Sequence, residues 1–161
     1  MKKSILVLLT LVPVVAGYLI NNVLLLPVIG MIAFYVVPIL VLIFWFYLGS
    51  QYANTTWKII PSALIGNAIG IISVLLYVWQ FIFETDETRN IVVAGFSQMF
   101  SVATPLYLIG RLAILFESQP NYAGRATMTA MQVIALIVMI LVFMFGYIWR
   151  KNKNKNDREF S

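Results

Sequence analysis

The longest stretch without a charged residue, Ser4 to Leu48, constrains this chain more than any other feature of its sequence. It holds 45 consecutive residues, nearly all apolar, and Asn21-Asn22 is its strongest polar interruption. A helix needs about 20 apolar residues to cross the hydrocarbon core of a bilayer. The stretch therefore predicts two membrane-spanning helices, near residues 4–20 and 28–48, joined as a tight hairpin.

Two alternatives remain open for this block. A basic start precedes an apolar centre with small residues after it, at Ala16 and Gly17, which is the order found in a cleavable signal peptide. The chain stays apolar after these residues, which favours an uncleaved helix. Prolines permit a kinked or incomplete crossing, so the block crosses once in the second alternative, with four net crossings in all. The block contains three prolines: Pro13, Pro27 and Pro38.

Three further apolar stretches follow, at residues 59–83, 91–116 and 127–149. The whole chain is 61% apolar and 11% charged, whereas an average soluble domain is about 45–50% apolar and about 25% charged. We therefore predict an all-α integral membrane protein, a bundle of about five transmembrane helices forming one domain over residues 1–149. Residues 150–161 form a basic, low-complexity tail that we predict to be disordered.

The distribution of Lys and Arg does not orient five spans. Five basic residues fall on the side of the first residue and six on the other, so the positive-inside rule gives no preference. With four crossings the division becomes eight against three. We give more weight to the length of the first apolar block, and predict five segments with the orientation open.

A stripe of small residues in the third span predicts close helix packing. Ala63, Gly66, Asn67 and Gly70 fall on one helical face, and two serines lie along its edge, Ser62 and Ser73. Small residues one turn apart let a second helix approach closely in lipid, and an amide can hydrogen-bond across the contact. We call this set the small-residue stripe.

The fourth predicted span is the most polar. Pro105 has no N–H to donate to the carbonyl of Ser101, so we expect a bend there. The hydroxyls of Ser101 and Thr104 are placed to satisfy the freed backbone groups. We include Ser101 and Pro105 among the helix-packing residues.

One constellation suggests a ligand site. If five spans alternate, Asn67, Arg111 and Gln132 lie at similar depth, with Lys58 and Arg125 at the rim. A guanidinium among amides suits a phosphate or carboxylate group. In the alternative interpretation Arg111 snorkels to the headgroups, and the two amides are packing hydrogen bonds.

Absent residue types exclude several kinds of chemistry. The chain has no cysteine and no histidine, so disulfides, thiolate chemistry and imidazole ligands are ruled out. No Asp or Glu lies inside a predicted span, which leaves no carboxylate for a proton relay. We predict no enzyme activity, no cofactor and no metal. The formal charge of +5 indicates contact with anionic lipid rather than with nucleic acid.

The leading functional hypothesis is a small non-enzymatic membrane component, of the accessory or immunity type. It would act by packing against a membrane-protein partner or as a homo-oligomer in the cell membrane, and the Lys- and Asn-rich tail suggests a bacterial plasma membrane. The alternative is a small transporter, or a protein that binds anionic lipid or a small anion in the polar pocket. An outward-facing small-residue stripe favours the first hypothesis, and an inward-facing one beside a cavity favours the second.

Overall fold

The computed structural model describes residues 2–23, 25–110, 112 and 123–159. These residues are predominantly helical and contain no strand. We number the helices α1 (Lys3–Leu9), α2 (Val12–Val23), α3 (Pro27–Tyr52), α4 (Ile59–Gly66), α5 (Ala68–Val78), α6 (Ile91–Val102), α7 (Leu106–Ile109) and α8 (Arg125–Glu159). A π-helical turn, Trp79–Phe83, extends α5.

Three described stretches are long and apolar enough to cross a membrane: Lys3–Val23, Pro27–Tyr52 and Arg125–Asp157. The bent pair α4 and α5 makes a fourth if it is counted as one span. The structure thus confirms an all-helical chain with three or four such helices. It does not confirm the predicted count of five.

The first apolar block contains the two helical arms that its length predicts. The first arm is interrupted at Thr10, whose hydroxyl donates to the carbonyl of Val7 (2.7 Å). Pro13 then lies in the first turn of α2, a position where its missing N–H costs no hydrogen bond. The second arm, α3, begins at Pro27 for the same reason and passes through Pro38 without a break.

The third span is broken in the middle of the small-residue stripe. Asn67 has φ −109° and ψ 10°, outside the helical region, and separates α4 from α5. Its side-chain amide donates to the carbonyl of Ala63 (2.9 Å), which also accepts from the backbone N–H of Asn67 (3.0 Å). Side-chain bonds of this kind give the backbone an alternative to regular helix. The two halves are bent by 53°, a break that the sequence analysis does not predict.

The predicted fourth span, residues 91–116, is not one continuous helix. Helix α6 ends at Val102, and Pro105 is the N-cap of α7, so the chain is interrupted where a bend was expected. The Thr104 hydroxyl donates to the carbonyl of Ser101 (2.6 Å) as predicted, whereas the Ser101 hydroxyl donates to Gln132 and not to a freed backbone group. Twelve helical residues extend about 18 Å, too short for the roughly 30 Å hydrocarbon core.

The fifth span continues well beyond its predicted end at residue 149. Helix α8 runs to Glu159, so the structure differs from the prediction of a disordered tail. Lysine and arginine are good helix formers, and they complement the negative end of the helix dipole. The Nζ atoms of Lys151 and Lys153 also lie over the rings of Tyr147 and Trp149, one helical turn earlier.

The start of α1, the loop at residues 53–58 and the last turns of α8 meet at one end of the bundle. Lys3 Nζ donates to Thr56 Oγ1 (3.0 Å), and Asn154 Nδ2 donates to Asn54 Oδ1 (3.1 Å). We call this the basic end. It carries Lys2, Lys3, Lys58, Arg150, Lys151, Lys153, Lys155 and Arg158.

The loop at residues 84–90 and the start of α8 meet at the opposite end. Asp86 Oδ1 lies 2.8 Å from Nη2 of Arg89 and 2.8 Å from Nη2 of Arg125. We call this the acidic end, because Glu84, Asp86 and Glu87 all lie in its loop. Both α6 and α8 begin here, so the chain between them leaves the acidic end and returns to it.

Helices α3 and α8 run in the same direction, and their backbones touch near the basic end. A Cβ added to Gly49 would overlap the carbonyl oxygen of Phe143, and one added to Gly146 would overlap that of Phe46. Only glycine permits such an approach. We call Phe46, Gly49, Phe143 and Gly146 the α3–α8 seam. Helix α2 meets α6 in the same way, where Gly17 lies against the carbonyl of Met99.

Candidate functional site

Asn67, the central residue of the predicted pocket, is fully buried and contacts its neighbours within the protein. Its Oδ1 accepts from Nε1 of Trp45 (2.9 Å), while its Nδ2 donates to Ala63 within its own helix. Both side chains of the pair are completely excluded from solvent. This amide therefore joins α3 to the helix break and is hydrogen-bonded through both its oxygen and its nitrogen.

Gln132, the second predicted amide, forms a separate contact. Its Oε1 accepts from Oγ of Ser101 (3.1 Å), which joins α6 to α8 in the buried interior. A further hydroxyl contact, from Ser73 Oγ to the carbonyl of Ser97 (2.5 Å), joins α5 to α6. Interhelical hydrogen bonds of this kind contribute about 0.6–2 kcal/mol each in membranes. Ser101 thus contributes a hydrogen bond between α6 and α8.

The two residues predicted at the pocket rim lie at opposite ends of the bundle. Lys58 is the last residue of the loop at the basic end, whereas Arg125 pairs with Asp86 at the acidic end. The prediction placed both residues on the same side of the membrane because the fourth span was expected to cross it. In the structure α6 and α8 both begin at the acidic end, so Arg125 lies there and Lys58 does not. Arg111 lies outside the described residues. The described residues therefore do not form the predicted pocket, and this correction follows from chain direction.

The small-residue stripe faces the interior of the protein. A Cβ on Gly66 would lie 2.5 Å from Cε2 of Phe143, and one on Gly70 would lie 2.6 Å from Cζ of Phe100. The rings of Phe143 and Phe100 are themselves buried, so no room remains for a ligand beside either glycine. The Ser62 hydroxyl is also buried and has no hydrogen-bond partner in the described part of the chain.

The α3–α8 seam is the main packing feature that the sequence analysis missed. Neither Gly49 nor Gly146 has a second glycine one turn away in its helix. A search for paired small residues passes over such positions. The available signal was a glycine near the end of each of two long apolar helices, Gly49 in α3 and Gly146 in α8.

Helix α6 carries a small and polar patch on its outer face. Gly95 and Gln98 are both exposed, and a Cβ on Gly95 would meet nothing within 4 Å. Gln98 lies seven residues after Ile91, so it is about 10 Å from the start of α6. An amide at that depth is surrounded by apolar neighbours, since Ile91, Val92 and Phe96 are exposed on the same helix. We call Ile91, Gly95 and Gln98 the α6 face.

An apolar groove of about 320 Å³ lies along the outside of α1 and α2. Its lining is apolar, and the described residues there present no convergent set of polar groups to orient a ligand. Its position on an apolar helix suits contact with lipid tails. Its lining residues are Leu8, Leu11, Val12, Val15, Ala16 and Leu19.

The acidic end has its own electrostatic arrangement. The guanidinium of Arg125, together with hydrogen bonds from Arg89 and Arg125, holds the pKa of the Asp86 carboxyl below its usual range. Arg89 also donates through Nε to the carbonyl of Gln80 (2.9 Å). Two cations are thus gathered around one exposed carboxylate, and the contact ties the start of α8 to the loop before α6. Among the described residues, no group of three or more acidic side chains is placed to hold a metal ion.

Comparisons with protein-family models, with curated proteins and with solved structures found no match to this chain.

Proposed function

We propose that this protein is a non-enzymatic component of the membrane, with its apolar helices inserted in the cell membrane, and that it acts as a dimer formed through the α6 face. The single observation that supports this proposal is the exposed Gln98 with Gly95 one turn away. An amide in hydrocarbon is stabilised when it finds a partner, and a neighbouring glycine allows that partner's helix to approach.

A second copy of the chain is the partner we favour, because the α6 face is complementary to itself. Glutamine carries both a donor and an acceptor, so two Gln98 side chains related by a twofold axis can each donate to the other. A twofold axis along the membrane normal places the same residues of the two copies opposite each other. The small-residue stripe does not compete for this role, since Phe143 and Phe100 fill the space beside it.

The transporter alternative finds less support. It required Asn67 and Gln132 to share a pocket with three cationic residues, whereas Asn67 contacts Trp45 and Gln132 contacts Ser101. We therefore do not put forward a second function.

Cysteine cross-linking in native membranes tests the proposed dimer. The chain has no cysteine, so Ile91→Cys introduces a single thiol at an α6 position that is 83% exposed. Oxidation should give a disulfide-linked homodimer. Ile137→Cys, on α8 and 49% exposed, is the matched control and should remain monomeric.

Adding Gln98→Leu to the Ile91→Cys chain separates a specific contact from random collision. Loss of amide contacts worth about 0.6–2 kcal/mol should weaken association about 3- to 30-fold. Equal cross-linking with and without Gln98 would refute the α6 contact. An adduct of a different protein at Ile91→Cys would also refute self-association, and would point to an accessory role with another membrane protein.

A further inference from the structure

The structure separates the charges of the chain between its two ends. Ten of the eleven basic residues lie within the described ranges, since only Arg111 falls outside them. Eight of these ten lie at the basic end, with two acidic residues, Asp157 and Glu159. The acidic end has two basic residues and three acidic ones in the described part of the chain.

This division groups the basic residues differently from both divisions that the sequence alone allowed, since Lys58 now lies with the residues of the tail and Arg89 does not. Lys58 and the basic residues of α8 share an end, because α3 and α8 run in the same direction and the loop at residues 53–58 contacts α8. The hydroxyl of Tyr147 donates to the carbonyl of Trp57 (2.8 Å), and Asn154 donates to Asn54. Lys3 donates to Thr56 in the same loop, which places the start of the chain there too.

Three lysines at the basic end lie against aromatic rings. Lys3 Nζ is 5.1 Å from the ring centroid of Trp57, and Lys153 Nζ is 5.8 Å from that of Trp149. Lys151 makes the same contact with Tyr147 at 5.8 Å. Tryptophan and tyrosine occupy the headgroup level of a membrane. Their contacts therefore place these ammonium groups beside lipid phosphates, not far out in the aqueous phase.

We propose that the basic end is the cytoplasmic face of the protein and that its lysines bind the headgroups of anionic phospholipids. Basic residues close to membrane-spanning helices are retained on the cytoplasmic side, and the cytoplasmic leaflet attracts basic juxtamembrane segments. Within the described ranges the acidic end offers no comparable surface, because Asp86 engages both of its basic residues, Arg89 and Arg125. The inference depends on membrane insertion but not on the α6 face, so a monomer would show it equally.

The headgroup contact can be measured by quenching tryptophan fluorescence with brominated lipids. Trp149 at the basic end and Trp79 at the acidic end are 48% and 49% exposed, which makes them a matched pair. The double variants Trp57→Phe/Trp79→Phe and Trp57→Phe/Trp149→Phe each retain one of the two. Both keep Trp45, which is fully buried and adds the same background.

Each variant is reconstituted in phosphatidylcholine vesicles that contain brominated phosphatidylglycerol or brominated phosphatidylcholine. Trp149 should be quenched with about two- to fivefold preference for the anionic lipid, and Trp79 with none. The preference of Trp149 should fall at 1 M salt, where the Debye length is about 3 Å. Adding Lys151→Gln and Lys153→Gln should remove most of it, and these exposed positions leave the bundle core unchanged.

Equal quenching by the two lipids at Trp149, or the same anionic preference at Trp79, would overturn the headgroup contact. Orientation is tested separately with Asn156→Cys and Glu87→Cys, two exposed positions at opposite ends. In intact cells a membrane-impermeant maleimide should label Glu87→Cys, and should label Asn156→Cys only after permeabilisation. The reverse pattern would overturn the cytoplasmic assignment.

Discussion

Glycine has different neighbours at the α3–α8 seam and at the small-residue stripe. At the seam Gly49 and Gly146 lie against backbone carbonyls, whereas at the stripe Gly66 and Gly70 lie against the rings of buried phenylalanines. A carbonyl inside a helix cannot move without moving the helix, but a ring can rotate or shift within its cavity. Substitution should therefore cost more at the seam than at the stripe, although only the stripe has the spacing that sequence analysis recognises.

Gly49→Ala should have the largest effect on stability. Its Cβ would overlap the carbonyl oxygen of Phe143, so α3 and α8 must separate along a contact that both helices share. Overpacking costs about 1–3 kcal/mol and more where the neighbour is rigid, and we expect a value near the upper limit. Unfolding in mixed micelles at increasing dodecyl sulfate, followed by tryptophan fluorescence, measures it.

The control for this substitution is Gly95→Ala, the same chemical change where nothing lies within 4 Å. Alanine is the better helix former, so Gly95→Ala should stabilise the monomer by about 0.5–1 kcal/mol. If both variants unfold at the same point as the parent protein, the backbone contact at the seam is not formed.

Asn67→Ala should have the next largest effect. It removes the acceptor for Trp45 Nε1 in a fully buried setting, and an unpaired buried donor costs about 1–3 kcal/mol. The same unfolding assay measures the loss. Asn154→Ala is the matched control, since its bond to Asn54 is exposed and should contribute little. Equal losses of stability in the two variants would show that burial does not make the Asn67 hydrogen bond contribute more to protein stability than an exposed one.

Gly66→Ala should cost less than Gly49→Ala, about 1–2 kcal/mol, because Phe143 can yield at the ring. A double-mutant cycle with Phe143→Leu tests this directly. In the Phe143→Leu background the cost of Gly66→Ala should fall, since the ring atoms 2.5 Å from the added Cβ are gone. An unchanged cost would place the strain in the backbone instead, and remove the distinction between the stripe and the seam.

The acidic end should show the smallest effect. Because neighbouring guanidinium groups lower the pKa of Asp86 in the folded protein, its contribution to stability is complete above its unfolded pKa of about 3.9. That contribution is lost as the pH falls through the lower folded value. Exposed pairs are screened, so Asp86→Asn should change stability only slightly at pH 7. It should also remove this part of the acid dependence, as unfolding from pH 7 to pH 2 would show.

Part of the fold was predictable from single residues and their immediate neighbours. The lengths of apolar runs predicted helices at α3 and α8, and Pro105 predicted an interruption that the Thr104 hydroxyl compensates. Local chemistry is sufficient here, because a missing N–H and a nearby hydroxyl act within one helical turn. The continuation of α8 to Glu159 was missed, because the low-complexity composition of residues 150–161 by itself indicates disorder. Lys151 and Lys153 are in fact good helix formers and lie over aromatic rings one turn earlier.

The sequence by itself determined that this chain is helical, with apolar segments long enough to cross a membrane. Hydrocarbon supplies no water to the backbone, so a segment of this kind must pair its backbone groups within itself. Only the tertiary structure decided which faces meet and which ends coincide. The rotation of each helix sets whether Gly95 or Gly66 faces outward, and hydropathy carries no information about rotation between distant helices. Helices α6 and α8 begin at the same end of the bundle, so α8 runs toward the end that also holds Lys3 and Lys58. This direction divides the charges between a basic end and an acidic end.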